Sequence, residues 1–539
     1  MKKFLALLLA LVMLAGMIAG CGAKPEAAPE ATPETEKAPV AAEKVEENEE
    51  PIVIKWIPHT LDFVAEQDTY VEKLIEERFN VELEVAEVNT WQADTLNVYL
   101  ASSPEFDFMI PNIGVGDYYN LYDQGLLRTI DPADLEAYMP NWMAACRAGF
   151  TEEELVMEEE IANILINQFG GLVTVPTYSD SSNSYMVMAM RSDWLENLGL
   201  EAPTTFEEFV DTLIAFAEDD PDGNGIDDTY GIDAHPTYKL NYMHLADGVI
   251  HDAFVRGDDG QISFIPASEN WKNNLKKCAE LYAAGAIDPE WVTDSRAIVR
   301  EKFAAGKFGC MVDNIAWFDP NAAGNMTELL KTSNPDAEWI YLDPFPASDG
   351  NTYVWGDVPS MYNYLSGGAF SATCSEEKMA KIMEILEAFA TDKDFWLACQ
   401  FGEEGIDWEY DENGCIVSLI DSEAQHAKGI GYFSCAYPNT KATYADLILN
   451  PFYQDMNNRY GQFTTLTNTC NNGWRFTGTN EAYDIYYVDV DTLADEYYYK
   501  AIAGEFDIDA TWDEYVESLN NAGLQDILDE YQAYADANY

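Results

Sequence analysis

The apolar residues beyond the N-terminal segment are spaced in two alternating ways. Short apolar runs at 52–58, 81–88 and 106–111 are typical of buried strands. Amphipathic stretches with helical spacing fill the intervals between them, around 70–79 and 91–101. The order strand, helix, strand, helix, strand predicts a parallel sheet covered by helices, which is α/β architecture.

The rest of the chain continues this alternation. A strand that runs into a short helix is predicted at 185–200, and Thr205 with Glu208 forms a capping box that opens a helix to about Ala217. The further predicted elements are a strand at 229–232, a hairpin at 254–264, helices at 271–284 and 376–391, a helix, glycine turn and strand over 298–314, and acidic helices after residue 488.

The N-terminal segment has a different character. Lys2 and Lys3 precede an apolar run at 4–15, so residues 1–20 are predicted to be an export signal peptide and not a membrane-spanning helix. The Ile-Ala-Gly-Cys stretch that ends at Cys21 resembles the lipobox of bacterial lipoproteins, in which the Cys thiol is acylated and becomes the mature N-terminus. The alternative is an ordinary cleaved signal with a chance cysteine.

The stretch after Cys21 is predicted to be a tether. Residues 22–50 contain nine Glu, three Lys, repeated Pro and Ala, and no aromatic residue. Such a composition cannot bury enough apolar surface to offset the chain entropy. Residues 21–51 are therefore expected to be a disordered acidic link between a lipid anchor and a folded body outside the cytoplasmic membrane.

The charge of the chain excludes one class of partner. The 539 residues carry 96 Asp and Glu against 29 Lys and Arg, a net charge of −67. Nucleic-acid binding through phosphates needs clustered Lys and Arg, so no nucleic-acid partner is expected. The length and the 47% hydrophobic content allow a large core in two or more domains.

One short loop concentrates the acidity. The stretch 219-DDPDGNGIDDTYGI-232 begins like an EF-hand calcium loop, with Asp220, Asp222 and Asn224 at alternate positions. An EF-hand needs Glu at position 12, and Gly231 stands there, so the EF-hand pattern fails. The loop is either a shorter calcium clamp or a solvated turn without metal.

Catalytic motifs do not occur in the sequence. The five histidines form no H-E-x-x-H pair, and neither a G-x-S-x-G elbow nor a phosphate-binding glycine loop is found. The eight cysteines after Cys21 are widely spread without a C-x-x-C. They are expected to be mostly free and buried, with one or two disulfides left open.

The order of motifs along the chain resembles a known family. The pieces that carry the resemblance are the lipobox, 96-LNVYLASSPEFDFM-109, 191-RSDWLENLGLEAPTTFEEF-209, the acidic loop, 302-KFAAGKFGCMVDN-314, 401-FGEEGIDWEYDENG-414 and 473-GWRFTGTNEAY-483. The chain resembles the carbohydrate-type extracellular solute-binding lipoproteins of ABC importers (family 1), in the branch of calcium-binding oligosaccharide receptors.

The resemblance implies an architecture. The expected fold is α/β and two-lobed, a periplasmic-binding-protein-like (class II) fold with hinge crossovers and a ligand cleft between the lobes. Lobe 1 is expected at 52–177 plus 297–357, and lobe 2 at 178–296 plus 358–539.

The resemblance also implies a structural Ca²⁺ in the acidic loop. Its ligands would be the side chains of Asp220, Asp222, Asn224 and Asp228 and the backbone carbonyl of Ile226. Many relatives carry Glu after the last Asp, where this chain has Thr229. One ligand position would then be left to water or to the Thr229 hydroxyl.

The sugar site is expected in the cleft. Sugars are bound by flat aromatic faces and planar polar groups at loops and strand ends. The candidates are Asn89, Trp91, Tyr178, Asp313, Asn314, Trp317, Trp355, Asp357 and Trp474. For each of them, ordinary packing is the alternative role, and Trp194 and Trp396 are expected in the core.

The sequence thus predicts a monomeric, non-enzymatic receptor anchored to the outside of the cell membrane by lipidated Cys21. It would capture an oligosaccharide by lobe closure and deliver it to the membrane subunits of an ABC permease. A receptor for a peptide or another solute on the same scaffold is one alternative. A secreted polysaccharide-degrading enzyme is the other.

Overall fold

The computed structural model describes most of the chain from residue 50 onwards. The described residues are 50–538 except 61–62, 91, 103–104, 112–114, 179–185, 237–238, 252, 258, 321–324, 348–349, 356–360, 363–366, 435–436, 439–443, 445–446, 448–449, 467–469, 472–473 and 476–479. The predicted signal peptide, Cys21 and nearly all of the tether lie outside them. Residues Pro51–Tyr539 form one compact unit.

Strands and helices alternate through this unit. The strands are β1 (Ile52–Ile57), β2 (Val81–Val85), β3 (Phe108–Met109), β4 (Met186–Arg191), β5 (Tyr230–Ile232), β6 (Phe254–Arg256), β7 (Ile262–Phe264), β8 (Phe308–Asn314), β9 (Trp339–Leu342), β10 (Tyr353–Trp355), β11 (Ala369–Phe370), β12 (Trp408–Tyr410), β13 (Ile416–Ser418), β14 (Thr464–Leu466), β15 (Cys470–Asn471) and β16 (Trp474–Arg475).

The helices lie between these strands along the chain and after the last of them. They are α1 (Tyr70–Phe79), α2 (Ala93–Ser102), α3 (Val115–Asp123), α4 (Pro132–Tyr138), α5 (Pro140–Arg147), α6 (Glu152–Phe169), α7 (Ser192–Leu198), α8 (Phe206–Glu218), α9 (Asn241–Leu245), α10 (Glu269–Ala283), α11 (Arg296–Ala304), α12 (Met326–Ser333), α13 (Glu376–Thr391), α14 (Lys393–Phe401), α15 (Ser422–Ala427), α16 (Pro451–Tyr460), α17 (Glu481–Ile502), α18 (Ile508–Asn521) and α19 (Leu524–Asn538). Among the described residues, no helix has the length and apolar character that a membrane span requires.

The first sheet follows the predicted pattern. Its strand order is β11-β3-β1-β2, with β1 parallel to both β2 and β3 and with β11 antiparallel to β3. Helix α1 crosses between β1 and β2 and begins at a capping box of Thr69 and Glu72. The buried rings of Trp56 and Phe108 meet edge to face, with their centroids 4.8 Å apart.

The second sheet has the order β5-β8-β4-β9. Strand β8 runs parallel to β5 and antiparallel to β4, and β9 is also antiparallel to β4. Helix α8 begins at the predicted capping box of Thr205 and Glu208 and packs on this sheet. Gly309 of β8 is needed at this contact, because a Cβ there would lie 2.1 Å from the Phe216 ring.

The core residues fall into groups that differ from the predicted lobe boundaries. One hydrophobic cluster joins residues between 54 and 175 with residues between 361 and 437. Two others join residues between 186 and 354 with residues between 453 and 535. The predicted assignment of 297–357 to lobe 1 disagrees with this grouping, because β8 and β9 pair with β4. Likewise β11, predicted in lobe 2, pairs with β3.

We therefore propose that lobe 1 is 51–177 plus 361–437, and lobe 2 is 186–355 plus 450–538. The chain then passes between the lobes after Thr177, after Trp355 and after Tyr437. The sequence pattern of 302–314 predicts a helix, a turn and a strand. That local pattern does not specify which distant strand the predicted strand pairs with.

The prediction that most cysteines are free and buried agrees with the structure for the six cysteines whose side chains are described. Cys146, Cys278, Cys310, Cys374, Cys399 and Cys415 are buried free thiols. Burial raises the pKa of each thiol for which a shift is found, including Cys399 and Cys310. The side chains of Cys435 and Cys470 lie outside the described set.

Candidate functional site

The carboxyl ends of three strands meet at one edge of the second sheet. Strands β5, β8 and β9 run in the same direction and end at Ile232, Asn314 and Leu342. Antiparallel β4 begins at this same edge, because its first residue, Met186, pairs with Asn314. Ligands of open α/β sheets bind outside the carboxyl ends of the strands. The chain also enters β4 at this edge after leaving the first of the two proposed lobes. We take this edge as the candidate site.

A small pocket lies at this edge. Its walls come from the end of β5, from β8, from the end of β10 and from the turn that opens α9. The lining residues are Ile232, Asp233, Lys239, Leu240, Asn241, Tyr242, Val312 and Trp355. The cavity volume is about 10 Å³, room for about one water molecule and far below the roughly 300–1,000 Å³ of a small-molecule site. In this conformation the pocket is therefore a narrow crevice, and a sugar ring would need the surrounding elements to move apart.

Asp233 is the acidic group of the pocket. Its side chain is buried, and its Oδ1 accepts a hydrogen bond from the Val312 backbone N–H at 2.8 Å. Burial raises the pKa of Asp233 well above its usual range, although the Val312 N–H acts in the opposite direction. The carboxyl group is thus anchored to β8 and holds a proton more readily than an exposed Asp.

Asn241 presents a buried acceptor. The residue is 7% exposed. Among the residues that the structure describes, none donates a hydrogen bond to its Oδ1. Leaving a buried polar atom unpaired costs about 1–3 kcal/mol, so such atoms are rare and often functional. The Oδ1 atom of Asn241 is positioned to accept a hydrogen bond from a bound molecule.

An ion-pair cluster lies beside the pocket at the end of β8. The Arg300 guanidinium donates from Nε and Nη2 to the two carboxylate oxygens of Asp313, at 2.6 and 3.0 Å. Arg296 reaches the same carboxylate at 3.5 Å. The Arg300 guanidinium lies 3.5 Å from the centre of the Trp317 ring. Burial, together with Arg296, lowers the pKa of the neighbouring His235 to about 4, so this imidazole is neutral at pH 7.

Four of the predicted ligand residues lie at this sheet edge. Asp313 is held by Arg300, and the Trp317 ring, 38% exposed, packs under the same guanidinium. The Asn314 Oδ1 accepts from the Ala316 N–H at 2.9 Å and caps a short 3-10 helix. Only Trp355 lines the pocket itself. A role in ligand binding stays a prediction for all four.

The other predicted residues are dispersed. Asn89 is buried just beyond β2, at the carboxyl edge of the first sheet. The Tyr178 hydroxyl donates to the Gly149 carbonyl at 3.2 Å, and its ring packs edge to face on Phe150. Trp474 lies in β16, without a described side chain. Trp91 and Asp357 lie outside the described residues, whereas Trp194 and Trp396 are in the core as predicted.

Asp233 and Asn241 were not among the sequence candidates. A signal existed for Asp233, because it is a polar residue directly after the apolar strand β5. Asn241 has no such signal. Its position depends on Lys239, which has a left-handed φ of 52° and whose ammonium group donates to Asp495 Oδ1 at 2.7 Å, 256 residues away.

Two buried histidines hold the α9 turn that presents Asn241. The Lys239 ammonium also donates to His251 Nδ1 at 2.6 Å. His244 on α9 donates from Nδ1 to Asn274 Oδ1 at 2.5 Å. Burial lowers the pKa of His244 to about 3 and that of His251 well below its usual value. Both imidazoles are therefore neutral members of the packed core.

The acidic loop lies between α8 and β5, as predicted. Asn224 is at its centre and donates from its backbone N–H to Asp220 and Asp222 at 3.1 and 3.2 Å. Its side-chain amide donates to Asp222 and Asp228 at 2.7 and 3.1 Å. Three carboxylates thus converge on one residue. An ion pair with Lys307 lowers the pKa of Asp228.

Two details of this loop differ from the expectation. The buried Thr229 hydroxyl donates to the Phe216 carbonyl at 2.9 Å, so it ties the loop to α8 and does not face the carboxylates as a free ligand. Within the described residues, no group of three His, Cys, Asp or Glu side chains is arranged to hold a metal ion.

Sequence comparisons find relatives over about half of the chain. The chain is 24% identical to lipoprotein LipO of Bacillus subtilis over 266 residues, 47% of this chain and 50% of LipO. It is 23% identical to the polygalacturonan/rhamnogalacturonan-binding protein YtcQ of the same species, over 44% of this chain and 46% of YtcQ. The chain therefore spans about half the length of these curated relatives. No family model matches.

Solved structures match over nearly the whole unit. Alginate-binding protein AlgQ2 superposes with a TM-score of 0.63 at 19% identity, covering 91% of this chain and 99% of AlgQ2. The substrate-binding protein FusA of Streptococcus pneumoniae, in complex with kestose, superposes with a TM-score of 0.66 at 17% identity, covering 90% and 99%. This protein has the two-domain solute-binding protein fold. The predicted fold class is confirmed, and so is the resemblance to carbohydrate-type ABC solute-binding proteins.

The neutral state of the buried His244 gives the stability of this solute-binding fold a defined pH dependence. Its pKa of about 3 in the folded state is below the value near 6.5 of an unfolded chain. As the pH falls below about 6.5, the unfolded chain therefore takes up a proton that the folded protein does not. This contribution to stability is fully present above pH 6.5 and is lost progressively towards pH 3, by about 2 kcal/mol at pH 5.

We expect His244→Gln to reduce the loss of stability between pH 7.5 and pH 5 by about this amount. Urea unfolding at both pH values measures it. The difference between variant and wild type at pH 7.5 serves as the control for lost contacts. An unchanged loss in the variant would show that His244 does not titrate on unfolding.

Proposed function

We propose that this protein is a membrane-anchored extracytoplasmic receptor that captures an oligosaccharide and delivers it to an ABC permease. The observation that carries the proposal is the fold shared with FusA in complex with kestose, over 90% of this chain. At the carboxyl edge of the second sheet, Trp355 and the unpaired acceptor of Asn241 line the same narrow pocket. An aromatic face with a few convergent polar groups is what a sugar ring requires.

The names of similar proteins support the sugar class. FusA, 32% identical over 106 residues, is named a fructooligosaccharide ABC transporter substrate-binding protein. A structurally similar protein of Bifidobacterium longum infantis is described as an HMO-binding, ABC-transporter-associated solute-binding protein. These relatives are named as binding proteins and not as enzymes, which agrees with the missing catalytic motifs and favours a receptor over a polysaccharide-degrading enzyme.

Capture would follow from closure of the two lobes. Asp233, Asn241 and Trp355 would form one side of the cleft, and Asn89 at the carboxyl edge of the first sheet would contribute to the other. A ligand that contacts both sides stabilises the closed form by its difference in affinity for the two states. The permease subunits would recognise that closed form.

Anchoring is proposed from the lipobox motif. The similarity to a protein named lipoprotein LipO supports acylation of Cys21. The acidic residues 22–50 would then hold the receptor, as a monomer, near the permease outside the membrane.

We also propose that the acidic loop binds a structural Ca²⁺ through Asp220, Asp222, Asn224, the Ile226 carbonyl and Asp228. The donor chemistry fits, because Ca²⁺ prefers carboxylate and carbonyl oxygens. The Asn224 amide and the Lys307 ammonium supply the positive partners that a cation would replace. A FusA structure is described as that of an EF-hand mutant, which supports a cation loop in this fold.

A ligand screen tests the proposed receptor function. In a thermal-shift screen of neutral oligosaccharides against peptides, sugars alone should raise the melting temperature. Peptide hits alone would contradict the proposal. Trp355→Ala should weaken the best sugar at least tenfold in calorimetry, a loss of about 1.4 kcal/mol. The matched control is Trp339→Ala, which removes a half-buried ring packed on Phe303 and Phe318 without changing the pocket.

Chelation tests the calcium proposal. EDTA should lower the melting temperature and excess Ca²⁺ should restore it, since free ligand at a hundred times its Kd stabilises by about 2.7 kcal/mol. Asp222→Asn should lose the response, whereas Asp227→Asn, at the neighbouring exposed acid, should keep it. A melting temperature that changes with neither EDTA nor Ca²⁺ would contradict the proposed calcium site.

A further inference from the structure

The acidic loop is attached to neighbouring elements at three points. The Thr229 hydroxyl donates to a backbone carbonyl of α8 at 2.9 Å, and the Pro221 carbonyl accepts from the side-chain amide of Asn197 in α7 at 2.9 Å. The third contact is the ion pair between the Lys307 ammonium and the Asp228 carboxylate. The loop is therefore tied to α7, to α8 and to the residue that precedes β8.

Lys307 has a fixed place beside this loop. It directly precedes β8, and its backbone carbonyl accepts from the Tyr230 N–H at 2.8 Å. Tyr230 pairs with Phe308 in the parallel ladder between β5 and β8. Because the backbone of Lys307 takes part in this ladder, its ammonium group is held close to Asp228, which lies two residues before Tyr230.

The charge of the loop is unbalanced. Residues 218–228 contain six Asp and Glu and no Lys or Arg. Three of the carboxylates, those of Asp220, Asp222 and Asp228, converge on Asn224. Within the described part of the chain, Lys307 is the only Lys or Arg that forms an ion pair with a carboxylate of this loop. A single ammonium group thus stands at an oxygen that a divalent cation would use.

We propose that Lys307 is an internal counter-ion of the acidic loop, which competes with Ca²⁺ for Asp228 and thereby sets the calcium affinity of this protein. The inference rests on the proposed calcium site and names the residue of this chain that controls it. Ca²⁺ gains full access to Asp228 only when the ammonium group moves away, and the displaced ammonium still repels the bound cation. Without metal, the same ammonium group helps to keep the loop folded.

The ligand set also favours a weak site. The Thr229 hydroxyl donates to α8, so it does not supply the oxygen that follows Asp228. The proposed ligands therefore end at Asp228, and this last ligand is the one that Lys307 holds. We expect the wild-type loop to bind Ca²⁺ with a Kd of about 0.1–1 mM, the range of extracellular calcium modules.

Calorimetric titration of the full chain with Ca²⁺ tests the competition. Lys307→Met removes the charge and keeps an unbranched side chain, so it should tighten calcium binding about tenfold. Lys307→Arg keeps the charge and should bind Ca²⁺ as the wild type does. The matched control is Lys381→Met on α13, which removes another ion-paired lysine, 2.6 Å from Glu384, and should leave the calcium affinity unchanged.

Melting temperatures distinguish a counter-ion from an ordinary structural ion pair. In EDTA, Lys307→Met should melt below the wild type, because the loop carboxylates have lost their positive partner. In saturating Ca²⁺ this difference should disappear, since the metal then takes the place of the ammonium group and stabilises the folded variant.

Four results would overturn the inference. Equal calcium affinities of the wild type and Lys307→Met, or the same gain in Lys381→Met, would refute the competition and leave the calcium site standing. Equal melting temperatures in EDTA would refute the counter-ion role. A lower melting temperature of Lys307→Met that persists in saturating Ca²⁺ would show an ordinary structural ion pair. Absence of calcium binding in both the wild type and Lys307→Met would instead refute the proposed calcium site, and the inference would fall with it.

Discussion

The pairing of β8 with β4 and β5 determines where the candidate site lies. It joins residues 308–314 to residues 186–190 and 230–232, so that stretches far apart in the chain end at one sheet edge. Val312, Asp313 and Asn314 reach that edge because β8 runs parallel to β5. The same pairing places the start of β4, where the chain arrives from the first lobe, next to the pocket. A shift of one residue in this register would turn Val312 and Asp313 to opposite faces.

The pocket is polar and unsatisfied in a region that is otherwise tightly packed. Asn241 lacks a described donor, and Asp233 is an acid held out of water. Each lowers the stability of the free protein. The neutral imidazoles of His244 and His251, the Lys239–Asp495 ion pair and the ring of Trp271 support the turn that carries Asn241. Packing elsewhere in the second lobe thus holds in place a buried acceptor that no described residue satisfies.

Local sequence patterns predicted the elements well and their long-range partners poorly. Patterns among neighbouring residues were enough to predict the strand and helix order of the first lobe and the capping box at Thr205. The wide spacing of the cysteines was enough to predict that most are free and buried. The prediction that 297–357 belongs to lobe 1 differs from the bounds proposed from the strand pairing, because β4, the partner of β8, lies about 120 residues earlier in the chain. Asp313, Trp317 and Trp355 were predicted at strand ends and lie near the carboxyl edge of the second sheet, and their role in ligand binding stays a prediction. Asn241 was missed, since its place depends on a contact with Asp495.

Small-angle X-ray scattering with and without a saturating neutral oligosaccharide tests the central claim most directly, because closure of two lobes on a sugar changes the shape of the molecule. The account predicts a smaller radius of gyration in the presence of the sugar and no change with a peptide. A radius of gyration that stays constant while calorimetry shows the sugar bound would contradict capture by closure.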